Sequence, residues 1–279
     1  MLSVSGLFIY PIKSLGGIRV NEAVITDRGL QYDRRFMLVD EENMFLTQRE
    51  FPVMALLRTA IEGDEIVVHH KNDIAEKIKL PLTPEPNGMN IMVRIWDDYS
   101  EAQYVSKEAD EWFTDKLDFK CRLVYMPDST QRKVDAVYAL QNEITSFSDA
   151  YPLLLIGQSS LDDLNSRLEE ALPMNRFRPN MVIAGSYSYE EDTMEHFKIN
   201  GINFFGVKLC ARCAITTTNQ ETGTTAKEPL RTLAKYRATN NKVLFGQNIL
   251  CGEEGVVYVG DTVEIIKRKP EIIMQGEID

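Results

Sequence analysis

The sequence predicts an α+β, β-rich fold: two strand-rich lobes carrying a few helices. Three observations predict it. Short alternating apolar runs recur through the first hundred residues, separated by turn signals. Only three segments carry helical spacing. Strands do not alternate one for one with helices, as a parallel βαβ array requires.

Taken in order, strands are expected at residues 2–10, 18–26, 35–40, 53–61, 65–70 and 91–96. Turns fall at Asp27-Arg28-Gly29, Glu62-Gly63-Asp64 and Asn87-Gly88. Pro81, Pro84 and Pro86 mark a loop, because proline lacks the ladder N–H. A helix begins after Ser106 as N-cap and carries Ala109, Trp112, Phe113 and Leu117 at helical spacing. Residues 127–150 are polar and weakly patterned, and the domain junction is placed at their start. Ser160 and Asp163 read as a capping box, with Leu161, Leu164, Leu168 and Leu172 as the stripe and Pro173 as the stop. A third helix is expected from Glu228-Pro229, with the proline in the first helical position. Further strands are expected at residues 153–156, 181–184, 202–210, 214–218, 256–259 and 263–266.

Composition bounds the function. The 279 residues are 44% hydrophobic and 26% charged, which excludes disordered and low-complexity classes. A net charge of −11 repels phosphate backbones, so no nucleic-acid partner is expected; a local basic pocket can still hold a small anion. Four cysteines are too few for a disulfide scaffold. No apolar run reaches the ~18 residues of a membrane span, and no secretory signal opens the chain. The expectation is a cytoplasmic protein with no membrane partner.

Four segments carry possible chemistry. In Cys210-Ala211-Arg212-Cys213, a thioredoxin reading needs a helix N-terminus, whereas the β-branched residues that follow suggest a strand. A structural zinc needs four ligands, and neither the other cysteines nor His196 complete a set. Two buried small residues, or one thiolate serving as the sole protein ligand of a soft metal, remain. Tyr10-Pro11-Ile12-Lys13-Ser14-Leu15-Gly16-Gly17 places an ammonium, a hydroxyl and backbone N–H groups in one turn. Such a turn can hold a phosphate or be solvated surface. In Tyr32-Asp33-Arg34-Arg35-Phe36 one arginine should face inward and need an anion or a salt-bridge partner. Asn175-Arg176-Phe177-Arg178-Pro179-Asn180 holds Arg178 extended before proline, as an anion ligand or an interdomain ion pair.

In this order, the segments resemble the MOSC family, named for the C-terminal domain of molybdenum cofactor sulfurase. The likeness is greatest to the branch of the mitochondrial amidoxime-reducing component and its bacterial relatives. The resemblance also rests on Thr47-Gln48-Arg49, Ser148-Asp149, Phe177-Arg178-Pro179-Asn180, Thr222-Gly223, Glu228-Pro229-Leu230 and Phe245-Gly246-Gln247. It implies an N-terminal β-barrel-like domain over 1–122 and a MOSC β-barrel domain over 127–267. It implies a molybdenum–molybdopterin cofactor (Moco) held by one protein cysteine, matched by Cys213. Cofactor-binding positions match Lys13, Ser14, Arg35, Ala150, Tyr151, Arg178, Asn180, Ala211 and Arg212. Ala150 and Tyr151 stand where the family carries small hydroxyl residues. Asp149 is a candidate proton donor or orienting group.

The implied activity is an oxidoreductase: reduction of small N-hydroxylated compounds such as amidoximes, N-hydroxylated bases and N-oxides. Without a cysteine-rich electron-transfer domain on the chain, the expected donor is a separate iron–sulfur protein or flavin reductase. The rival expectations are a sulfur carrier with a persulfide on Cys213, and a cofactor-binding module without turnover. Cys121 and Cys251 read as core thiols.

Overall fold

The structure, a computed structural model, describes residues 1–85, 89–271 and 274. Its largest sheet runs in the order Ile18–Val20, Ser3–Ile9, Met181–Ala184, Leu153–Gly157, Lys242–Cys251, Ile202–Ala211, Met194–Ile199 and Val263–Arg268. Neighbours are antiparallel except Leu153–Gly157 beside Met181–Ala184, which are parallel. Parallel neighbours need a long crossover, and helix α2 (Gln158–Ser166) lies in it. Leu7, Ile9, Leu155, Ile183, Phe197 and Phe204 close the core of this sheet.

A second sheet orders Phe36–Val39, Arg122–Tyr125, Asp98–Tyr104 and Asn90–Ile95. Helix α1 (Lys107–Leu117) precedes its second strand and buries Ala109, Phe113 and Leu117. The same core takes Leu57, Ile66 and Ile78 from a three-stranded sheet of Leu57–Glu62, Glu65–His70 and Asp73–Pro81. The two ends of the chain interleave. Ser3–Ile9 pairs with Met181–Ala184, and Glu22–Thr26 pairs with Gly255–Tyr258. No closed barrel is formed by these ladders among the described residues. Nor, among them, is any helix long and apolar enough to cross a membrane.

The Ser106 cap is present: its hydroxyl accepts from the Ala109 N–H at 3.1 Å. Other local expectations are corrected. The expected strand 18–26 is two strands, broken at Asn21. The expected strand 53–61 opens as a 3-10 helix, Pro52–Leu56, because Pro52 fixes its own φ and offers no ladder N–H. The expected strand 214–218 is a 3-10 helix, Ala214–Thr217. There the hydroxyls of Thr216 and Thr217 bond back to the carbonyls of Cys213 and Ala214, at 3.1 and 2.7 Å. Such local bonds give β-branched threonines an alternative to a ladder.

Helix α2 is capped at Gly157, without a side-chain bond. The Ser160 hydroxyl is taken instead by Glu191 Oε2 and by the Tyr189 N–H, both at 2.7 Å. The helix stops before Leu168 because the Asn165 side chain bonds both backbone groups of Leu172. Helix α3 (Leu230–Leu233) is short, with Pro229 as its cap residue rather than its first turn. The turn expected at Asn87-Gly88, and Pro86, lie outside the described residues.

Candidate functional site

The site begins where the strand Ser3–Ile9 runs out. The Tyr10 N–H donates to Asp33 Oδ1 at 2.8 Å, and its hydroxyl donates to the Pro179 carbonyl at 3.1 Å. The ring is held between two guanidinium groups, Arg34 at 4.4 Å and Arg178 at 4.3 Å from its centroid. Each cation on the ring face is worth up to about 2 kcal/mol when desolvated. A Cβ on Gly17 would stand 2.4 Å from the Tyr10 ring, so only glycine passes there. The Gly16 N–H donates to the Leu57 carbonyl at 2.9 Å. The two glycines are therefore packing and chain-path residues, not a phosphate cradle.

Lys13 follows on a segment bridged to Phe36 and is 5% exposed. Its ammonium donates to Asp149 Oδ1 at 2.6 Å and to the Phe147 carbonyl at 2.8 Å. Burial pulls the Lys13 pKa down to about 8, and the Asp149 charge offsets part of that shift. Burial alone would raise Asp149. The Lys13, Arg49 and Arg34 charges outweigh it and hold the carboxyl well below the usual carboxylate range. Asp149 is thus an anion at neutral pH, which removes it as a resting proton donor and leaves the orienting role. Its loop is built by Arg132, whose guanidinium donates to the carbonyls of Ser146, Ser148 and Asp149 and pairs with Asp98 at 2.7 Å.

The opposite wall comes from the C-terminal half. Arg178 is not extended, as Pro179 led one to expect: its φ is left-handed at 54°, and it donates through Nη1 to the Leu15 carbonyl at 2.7 Å. Its Nη2 is buried with no partner among the described residues. Arg212 donates Nη2 to the Phe177 carbonyl at 2.6 Å and Nη1 to Cys210 Sγ at 3.1 Å. Its Nε is also buried and, among the described residues, unpartnered. Orphaned guanidinium N–H groups are costly, and the two residues that carry them line one cleft, a setting that suits an anion. Asn180 is spent on scaffolding: Oδ1 accepts from Arg34 and from the Leu154 N–H, and Nδ2 donates to the Phe8 carbonyl.

Lys13, Ser14, Asp149, Ala150, Tyr151, Arg178, Asn180, Ala211, Arg212 and Cys213 line this one cleft. Cys210 lines it too. Cys213 is half-buried, and its carbonyl is tied down by Thr216. Arg35 is not brought there. The turn residue Arg34, with φ 48°, points into the cleft and pairs with Asp33 at 2.6 Å. Arg35 turns the other way, onto the Tyr125 ring, the Met126 carbonyl and Asp128. The Arg34-Arg35 pair left open which arginine faces inward, and the family resemblance pointed to Arg35. Sequence reasoning passed over Arg49, whose Nη1 is 4.0 Å from Cys213 Sγ. Among the described residues, no group of three His, Cys, Asp or Glu side chains gathers to hold a metal without help. One thiol beside unpartnered guanidinium donors is the donor set that an anionic, metal-bearing cofactor needs. Cys121 and Cys251 are neutral core thiols, pushed up by burial to about 11 and about 12.

Together, fold and cleft define a MOSC-family protein. Residues 1–120 match the MOSC N-terminal beta barrel domain and residues 142–264 match the MOSC domain. The chain belongs to this family, and its role is molybdenum-related. It is 33% identical over 282 residues to mitochondrial amidoxime-reducing component 1 of Mus musculus, covering 95% of this chain and 82% of that protein. The Homo sapiens counterpart is 31% identical over 283 residues, covering 95% and 83%. A molybdenum cofactor sulfurase of Oryza sativa subsp. japonica is 30% identical over 279 residues, covering 92% of this chain and 34% of that protein.

Proposed function

We propose that the cleft holds a molybdenum–molybdopterin cofactor and that the protein reduces N-hydroxylated compounds such as amidoximes, N-hydroxylated bases and N-oxides. The observation that carries this is the pairing, in one cleft, of the Cys213 thiol with unpartnered donors on Arg178 and Arg212. Relatives named for amidoxime reduction support the same reading.

When bound, the cofactor supplies oxygen acceptance and two-electron chemistry at molybdenum. The chain supplies the rest. Cys213 is the one soft protein ligand. Arg178 and Arg212 hold the anionic end, with Ser14 and Ala211 beside it. Arg34 keeps Arg178 and Asn180 in place and takes the position expected of Arg35. Ala150 and Tyr151 line the wall next to Asp149. Asp149 Oδ1 is engaged by Lys13, and Oδ2, without a hydrogen bond among the described residues, accepts from a substrate N–H or O–H. Lys13 holds its proton at Nζ with a pKa of about 8, near enough to neutrality to pass it on.

Reduction of each N–OH group consumes two electrons and two protons and releases water. The electrons come from a separate donor protein of the iron–sulfur or flavin-reductase class. The test is conversion of benzamidoxime to benzamidine by cofactor-loaded protein with a reduced viologen dye. Turnover is expected in wild type and not in Cys213→Ala. Equal rates in the two would overturn the reading. A persulfide on Cys213 in metal-free protein, read by mass spectrometry, would favour the sulfur-carrier role suggested by the sulfurase relative.

A further inference from the structure

Trp96 occupies an unusual place. It is the first residue of the two-residue turn joining Asn90–Ile95 to Asp98–Tyr104, since Ile95 and Asp98 are paired. Its φ is +57°. A positive φ at that turn position is normally supplied by glycine or asparagine, and a bulky side chain there is an outlier with a cost. Strain of this kind points to a function for the side chain.

The indole stands against Asp149, a residue of the cleft. Its Nε1 faces Asp149 Oδ1 at 3.4 Å. The Arg49 guanidinium lies 3.9 Å from the ring centroid, and the Phe45 ring is 5.2 Å away, tilted by 58°. Arg49 in turn reaches to 4.0 Å from Cys213 Sγ. Trp96 and Arg49 thus link two residues of the cleft, Asp149 and Cys213, from beside it, and Trp96 is 42% exposed there. Arg49 occupies part of the ring surface, and Asp98, held by Arg132, fixes the turn to the Asp149 loop. Asp149 Oδ2 has no hydrogen bond among the described residues.

We propose that Trp96 is a stacking platform for the flat aromatic body of the substrate, with Arg49 positioning the indole and Asp149 Oδ2 accepting from the N-hydroxylated end. This rests on the reductase reading and narrows it to planar aromatic N-hydroxylated amidines over small aliphatic ones. Arg49 is a positioning residue here; its planar cation keeps the indole in register, a service lysine cannot give.

The test uses cofactor-loaded protein, benzamidoxime and acetamidoxime. Trp96→Ala should raise KM for benzamidoxime about tenfold, the scale of one lost aromatic pair, with kcat within about twofold. KM for acetamidoxime, which shares only the Asp149 contact, should rise much less. Trp96→Phe should restore most of the benzamidoxime KM. A second readout needs no turnover. Trp112, the other tryptophan, has an unpartnered Nε1, so Trp112→Phe loses no hydrogen bond and leaves Trp96 as the sole indole fluorophore. Benzamidoxime should quench that emission saturably and acetamidoxime should not. Equal KM changes for both substrates, no KM change, or no saturable quenching would overturn the platform. Absence of turnover in loaded wild type would instead overturn the reductase reading, and the quenching titration would still decide for or against the platform.

Discussion

Lys13 and Asp149 govern the chemistry available in the cleft, because each sets the other's charge. In the unfolded chain the Lys13 ammonium has its ordinary pKa of 10.5; in the fold burial brings it to about 8. A lysine lowered in the folded state binds fewer protons there between those values. Stability contributed by this group therefore rises as pH goes from about 8 to 10.5. Urea unfolding across that range should give a smaller rise in Lys13→Met than in wild type; identical slopes would contradict the burial argument. The sequence made most of this site legible. Lys13, Ser14, Asp149, Arg178 and Cys213 line one cleft although they are far apart in the chain. It did not separate Arg34 from Arg35, because the choice depends on a left-handed turn at Arg34 that no side-chain pattern announces. Nor did it single out Trp96, which was read as the last strand residue; its meaning lies in a one-residue shift into the turn.

At the scale of elements, two serines with the same sequence signature do different work. Ser106 caps α1, and Ser106→Ala should cost about 1 kcal/mol in urea unfolding. Ser160 read as a cap too, but sits inside α2 with its hydroxyl between Glu191 and Tyr189. Ser160→Ala strands a part-buried N–H and a buried carboxyl oxygen, so it should cost about 2–3 kcal/mol. Burial already pushes Glu191 up to about 7, and its other oxygen has no partner among the described residues. Equal costs for the two serines would contradict the assignment. Periodicity could not distinguish these cases, since the partner of Ser160 lies 31 residues away. The same limit explains the 3-10 turn after Cys213. Thr216 and Thr217 favour strands by shape, and only their hydrogen bonds back to the chain reveal the turn.

At the scale of the molecule, the strand-rich class and the two-lobed composition were legible, because alternation and turn residues are local signals. The interleaving was not. That Ser3–Ile9 lies beside Met181–Ala184, and Glu22–Thr26 beside Gly255–Tyr258, depends on long-range pairing. It has a consequence for the units over 1–122 and 127–267. Residues 127–267 alone should lack the strand that covers Met181–Ala184 and should give poorly dispersed NMR spectra. Adding residues 1–31 as a separate peptide should sharpen them. A well-folded fragment without the peptide would show that the ladder is dispensable. The interleaving also builds the cleft, since Lys13 and Arg34 come from one end of the chain and Arg178, Arg212 and Cys213 from the other. The measurement that bears most directly on that cleft is molybdenum content by elemental mass spectrometry, with pterin fluorescence. Wild type and Cys213→Ala would be made side by side in a host able to synthesise the cofactor. Near-stoichiometric molybdenum in wild type and its loss in the variant is the predicted result. Neither molybdenum nor pterin in wild type, from a host that loads a control molybdoenzyme, would contradict the account.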